Sequence, residues 1–237
     1  MKKVVIICAL ITITYGLCAA QGVSIMLHTG VGTFAMKKQK DLQQEVRGST
    51  MPWRPVHKFP PYWIYGGSLS IQLNSQFGVS AYAEYGSTGG TLNYTDYSGS
   101  VQFDQLLRYM QGGIGMFLQI NLSDKWPLFA TSHLLVGKTK ETVSSTLRLG
   151  NSTEHESIQL HALNFSFRPG LMMQHRVKTF LFQANLGMEI QLPGKLQNED
   201  GNSLVLQNRE EVNAQWSGLR ATLGVGLLLG KNKKAED

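Results

Sequence analysis

The stretch TFLFQANLGMEIQL, Thr179 to Leu192, constrains this chain more than any other. Phe180, Phe182, Ala184, Leu186, Met188, Ile190 and Leu192 are apolar. Leu181, Gln183, Asn185, Gly187, Glu189 and Gln191 alternate with them and are mostly polar or small. A period of two puts one set on each side of a β-strand. On a helix the same residues would be smeared around the circumference, and Asn185 and Gly187 would weaken it. At fourteen residues the run exceeds the ordinary globular strand of about 5–6 residues. It suits a tilted strand crossing a bilayer, which takes about 9–11 residues.

The 237-residue chain opens as a secretory signal peptide does. Lys2 and Lys3 precede an apolar run from Val4 to Leu17, and Cys18-Ala19-Ala20 then offers small residues for cleavage. Cleavage is expected between Ala20 and Gln21, leaving 21–237 as one domain. A membrane anchor is the alternative, but the run is short of the roughly 20 residues a spanning helix needs. Bulky Leu17 stands against a lipid attachment at Cys18. Both cysteines, Cys8 and Cys18, leave with the signal. The mature chain then has no disulfide, no thiolate metal site and no cysteine nucleophile. Losing Lys2 and Lys3 takes the formal charge from +6 to +4, a scattered excess that argues against a nucleic-acid partner. No later segment reaches about eighteen consecutive apolar residues, which excludes a bundle of membrane helices. Barrel strands, whose hydropathy signal is much fainter, stay open.

Alternation marks eight strands, at about 23–35, 62–74, 77–86, 108–121, 127–139, 158–172, 179–192 and 214–229. Long polar connections are expected at 36–61, 87–107, 140–157 and 193–213, with short turns between the others. The start of the first, MKKQKDLQQEV, suits a short helix, and the rest of it reads as loop. An even number of antiparallel strands, with brief turns at one end and extended loops at the other, is the outer-membrane barrel layout. A soluble lipid-carrying barrel also alternates, with its apolar residues lining the inside. Three features favour the membrane arrangement. The polar-side residues are small and glycine-rich, as a narrow eight-stranded lumen requires. The connections alternate in length along the whole chain. Tyr62, Trp63, Tyr65, Phe77, Tyr85, Tyr109, Trp126 and Trp216 fall near strand ends, where interface girdles belong.

The signal ending Ala19-Ala20-Gln21, the strand GVSAYAEYG (Gly78 to Gly86) and the closing GLRATLGVGLLLG (Gly218 to Gly230) carry a resemblance over the whole mature chain. It resembles the small outer-membrane β-barrel proteins of Gram-negative bacteria, of the OmpA-transmembrane-like and OmpX-like group and especially the Bacteroidota type. The resemblance implies an eight-stranded up-and-down barrel without catalysis. Many members close their last strand on an aromatic residue that helps insertion. Here the strand closes on Leu228-Leu229-Gly230 and a charged tail follows.

Glu84, Arg168, Glu189 and Arg220 all fall on the polar side of their strands. In a lumen just wide enough to be filled they are expected to meet as an ion-pair network, with Glu189 and Arg220 at matching heights on adjacent strands. The sharper alternative is a narrow, gated ion path or a small-solute site. His28, His133 and His161 lack the spacing of a metal site. Ser132-His133 invites a lipid-hydrolase reading, but parity sends Ser132 to the lipid and His133 inward, so they cannot act as nucleophile and base. No catalytic, cofactor-binding or metal residue is assigned, and no cofactor is expected. Lys37, Lys38, Lys40, Trp53, Arg54 and Lys58, together with Arg47 and Phe59, make the 36–61 segment the candidate extracellular contact for lipopolysaccharide phosphates.

The sequence thus predicts a monomeric, non-enzymatic outer-membrane barrel with a structural or surface-interaction role. Its expected partners are outer-membrane lipid, lipopolysaccharide and the barrel-insertion machinery. A narrow pore or small-solute or lipid transport barrel is the alternative. A lipid-modifying enzyme and a soluble periplasmic lipid carrier rank below it.

Overall fold

The computed structural model describes residues 22–34, 36–47, 54–58, 60–121, 123, 125–150, 152–192, 194–198, 200–206 and 210–229, with the backbone alone at 46–47 and 54–58. The expected signal peptide, Trp53, Phe59 and the charged tail lie outside these residues. The elements are β1 (Gly22–Gly32), α1 (Lys37–Arg47), β2 (Arg54–Lys58), β3 (Tyr62–Gln72), β4 (Phe77–Thr95), β5 (Gly99–Gln119), β6 (Leu128–Leu149), β7 (Ser152–Val177), β8 (Phe180–Leu192) and β9 (Gly218–Leu229).

Eight of these strands close into a ring of antiparallel neighbours. Pairing runs from β3 in chain order to β9, and β1 joins β9 back to β3. No strand of the ring is left with a free edge at its middle, the condition for a sheet to cross a bilayer. Turns at one end are short. Asn74 closes the β3–β4 turn by accepting hydrogen bonds from the backbone N–H of Gln76 (2.9 Å) and Phe77 (2.7 Å) on its side chain. The β7–β8 turn is only Lys178-Thr179, with Lys178 at φ 56°.

The burial pattern is that of a soluble protein turned inside out. Outward-pointing Leu27 is 70% exposed, and Ile114 and Leu223 are each 68% exposed. Inward-pointing Glu84, Glu189, Arg168 and Arg220 are buried. On β6 the outward apolar positions run from Leu128 to Val136, and on β7 from Leu163 to Met173. That belt matches the roughly 9–11 residues of a tilted crossing. Trp63, Tyr65 and Tyr85 project at its long-loop end and Trp126 at the turn end, all exposed, as interfacial aromatics do. Glycines on the inner wall make room for large side chains opposite. A Cβ at Gly78 would overlap the Phe117 ring, and one at Gly86 would overlap the rings of Tyr109 and Tyr62.

Beyond the belt the chain departs from its expected outline. The segments 87–107 and 140–157, expected as polar loops, are strand. β4 and β5 pair in register from Phe77↔Leu118 to Thr95↔Ser100, and β6 and β7 from Leu128↔Met173 to Leu149↔Ser152. Asp96 closes the first hairpin by accepting from the Ser98 N–H (2.8 Å) and Gly99 N–H (3.1 Å). In the 36–61 segment α1 forms as expected. The loop expected after it contains β2, which lies along β4 from Arg54↔Asn93 to Lys58↔Gly90. The last strand begins at Gly218 rather than near 214, because Ala214 and Trp216 turn into the barrel mouth and are buried there.

Candidate functional site

The lumen holds three layers. At belt height, β4 brings in Glu84, β7 Arg168, β8 Glu189 and β9 Arg220, each at an inward position of its strand. Arg168 grips both carboxylates. Its Nη2 donates to Glu84 Oε1 (2.6 Å) and Glu189 Oε2 (2.5 Å), and its Nη1 to Glu84 Oε2 (2.9 Å). Arg220 Nη2 lies 3.2 Å from Glu189 Oε2. Tyr82 (2.7 Å), Tyr109 (2.8 Å) and Gln111 (2.6 Å) also donate to Glu84, and Ser166 (2.9 Å) and Gln111 (3.2 Å) to Glu189. Two buried anions and two buried cations, each with several hydrogen bonds, meet the condition under which buried charge is tolerated. One detail differs from expectation. Arg220 stands opposite Gly187 and Glu189 opposite Gly218, so the Glu189–Arg220 pair is diagonal rather than level.

Above the charges sits a cork. Trp216 is 1% exposed and stacks among Tyr109 (4.5 Å between centroids), Tyr62 (5.2 Å) and Phe34 (5.9 Å). Its indole N–H donates to Thr139 Oγ1 (2.9 Å), and its backbone carbonyl accepts from Arg220 Nη2 (2.5 Å). The Arg220 guanidinium also lies 4.9 Å from the Tyr62 ring centre. Met36, Ile64, Leu107, Leu160, Leu196 and Val212 complete this apolar cluster. Tyr62, Tyr109 and Trp216 were expected in the interface girdle. They point inward instead, Tyr62 and Tyr109 by the parity of their strands and Trp216 from the loop before β9.

The top layer is polar. Gln39 on α1 donates to Glu141 Oε2 (2.9 Å), and Gln105 Nε2 donates to Glu141 Oε1 (3.3 Å) and Gln39 Oε1 (3.1 Å). Glu141 lies five residues beyond Val136, outside the belt. Burial pushes its carboxyl up to about 7, against the opposing pull of the two amides. Below the charges, toward the turn end, the lumen keeps a cavity of about 40 Å³ beside Tyr82, His133 and Asn185, and one of about 190 Å³ around Ser24, Gln119 and Gln174.

His28 stacks on Tyr82 (4.8 Å) from inside the lumen, and His133 tilts against the same ring (5.2 Å). Ser132 faces outward, away from His133, so no nucleophile–base pair forms there. Among the described residues no three of His, Cys, Asp or Glu gather as a metal site. The candidate loop cations fall on two elements. Lys37 and Lys40 are exposed on α1, and Lys38 is ion-paired with Glu210. Arg54 and Lys58 lie in β2. Sequence reasoning missed Tyr82, Tyr109, Gln111 and Ser166 as members of the charge network. Their inward parity, Tyr82 and Ser166 on the charged strands β4 and β7 and Tyr109 and Gln111 on β5 beside them, was the available signal.

No family model matches this chain, and no curated protein does. Solved structures do resemble it. The attachment invasion locus protein Ail of Yersinia pestis is similar at 14% identity, over 88% of this chain and 98% of Ail, with a TM-score of 0.37. The outer membrane protein OprG of Pseudomonas aeruginosa is similar at 7% identity, over 90% of this chain and 98% of OprG, with a TM-score of 0.43. The N-terminal β-barrel domain of Pseudomonas aeruginosa OprF is similar at 12% identity, over 87% and 97%, with a TM-score of 0.32.

Proposed function

We propose that this chain is a non-enzymatic outer-membrane barrel that works through its surface and does not pass solutes. The closed lumen carries the reading: Trp216 and its aromatic neighbours sit directly on a charge network of two buried carboxylates and two buried guanidiniums, neutral overall. An apolar exterior of bilayer height around a polar interior supports a membrane rather than a lipid-carrying barrel. In this reading a signal peptide cleaved after Ala20 directs export, the insertion machinery places a monomer in the outer membrane, and the short turns lie in the periplasm. The long end then faces outward, where β4 to β7 continue past the belt as a sheet. Along its free side, Ser152–Leu160 of β7 has no strand partner among the described residues. Such an edge is a template for an added strand.

The small polar cavities near the turn end favour a second reading, a narrow small-solute path opened when the cork lifts. Planar-bilayer recording of the purified protein tests both. Silence across the voltage range supports the surface role. Steady conductance of the unmodified protein overturns it and installs the pore. An unchanged lipid A mass on expression is expected, and a shifted mass would expose an enzyme.

A further inference from the structure

Arg108 on β5 and Lys138 and Lys140 on β6 all point outward from the barrel wall, immediately above the apolar belt. Arg108 and Lys140 are direct cross-strand partners, Lys138 stands opposite Met110, and His161 of β7 stands on the other side of Lys140. Like charges placed directly opposite on a sheet destabilise it unless something neutralises them. Among the described residues none of the three is in an ion pair. Tyr85, an interfacial aromatic, is Met110's partner on β4, which fixes the height of the cluster at the upper membrane boundary.

The wall beneath is shaped as well as apolar. About 13 Å below Lys138, four residues at 3.3 Å each, Leu134 enters a groove of about 500 Å³. Val79, Ala81, Ile114, Met116 and Phe167 line it too. Ala81 and Ser132, small among these large neighbours, line it as well. Cations at the boundary, with a chain-wide groove below them, match a lipid whose anionic head and acyl tail are joined at that distance.

We propose that Arg108, Lys138 and Lys140 bind the phosphate of a lipid A-type glycolipid of the outer leaflet, with one acyl chain seated in the groove below. This rests on the outer-membrane reading above. It moves the lipopolysaccharide contact from α1 and its loop to the barrel wall, where head and tail are held together. Each cation near an anionic lipid surface is worth about 1 kcal/mol, so the triad supplies roughly a hundredfold in affinity.

The test is titration of the detergent-solubilised full chain with bisphosphorylated lipid A and with the same lipid stripped of phosphate. Native mass spectrometry counts the adducts, and heat-dependent gel mobility reports the intact barrel separately. The wild type is expected to hold the phosphorylated lipid and to bind the stripped one far more weakly. Arg108→Gln/Lys138→Gln/Lys140→Gln is expected to lose roughly a hundredfold while keeping its mobility shift. Lys37→Gln/Lys40→Gln on α1 is expected to bind as wild type. Equal binding of the two lipids, or undiminished binding by the wall variant, overturns the proposal. Loss in the α1 variant instead returns the site to the loop. An absent mobility shift in the wild type would sink the membrane reading itself, a distinguishable result.

Discussion

The belt and the extension above it are made from the same strands, yet different forces hold them. Within the belt the outward positions are apolar apart from Ser132, and the inward ones meet other protein and carry most of the polar side chains, so chemistry largely alternates along β6 and β7. Above Val136 and Leu163 that contrast ends. β6 continues through Lys138, Lys140, Thr142 and Ser144, and β7 starts through Thr153, Glu154 and Glu156, with water on the outside. There the order comes from hairpin pairing, from the Trp216 cork and from α1 seated across the mouth. Alternation in a sequence records a contrast between two environments, and a strand with water outside and a mixed inner face such as Thr139, Glu141 and Val143 carries little of it.

The comparison breaks most sharply at Arg168. Arg168→Ala leaves Glu84 and Glu189 buried without their shared cation, and a loss of about 3–5 kcal/mol is expected. It would appear as a lower temperature for the gel-mobility transition. Replacing Glu84→Gln and Arg168→Met together is expected to recover most of the loss, because Glu189 keeps its pairing with Arg220 and no uncompensated charge remains. A double variant as unstable as Arg168→Ala would show that the network holds the barrel by more than charge balance.

Trp216→Ala tests the extension from the other side. Removing a buried indole leaves a cavity worth about 3 kcal/mol. The belt strands keep their register, so the cost should fall on the mouth. Proteolysis of the 194–216 segment is expected to speed up, with a smaller drop in the barrel's transition temperature than Arg168→Ala causes. Equal drops would make belt and mouth one cooperative unit.

These two sites also show what was legible. Glu84, Arg168, Glu189 and Arg220 could be assigned to the lumen by parity alone, since a charge on the polar side of a long alternating strand has nowhere else to go. Their diagonal offset could not, because register depends on bulges and strand tilt that no single strand records. Trp216 was misplaced for a related reason. It precedes β9 in a segment without alternation, and an aromatic near a strand end reads equally as girdle or cork. The 87–107 and 140–157 hairpins were hidden because threonines and serines on both faces resemble loop composition.

Glu141 gives the extension its own pH dependence. Its carboxyl is raised to about 7 in the seated state, whereas in the unseated, solvated state it returns to about 4.3. Below the unseated value both states are protonated and α1 is held most firmly. As pH rises toward 7 the unseated state ionises first, so the seat weakens by something on the order of 3 kcal/mol and then levels off. Amide exchange across Lys37–Glu45 should therefore be faster at pH 8 than at pH 5, beyond the intrinsic base catalysis. Glu141→Gln should abolish the excess while leaving belt amides unchanged.

The smallest effect is expected at Lys38. Its ion pair with Glu210 ties α1 to the last loop, but the two side chains are 26% and 54% exposed. Water already solvates both partners and salt screens them, so such a pair contributes about 0–1 kcal/mol. Lys38→Ala should leave the mobility transition within error and change α1 exchange by no more than about fivefold, an effect that raised salt erases. The same kind of contact is thus worth several times more at Arg168, where losing one partner strands a charge with no water to take its place. A Lys38→Ala effect as large as that of Glu141→Gln would mean that the tie across the mouth, rather than the buried carboxyl, seats the helix.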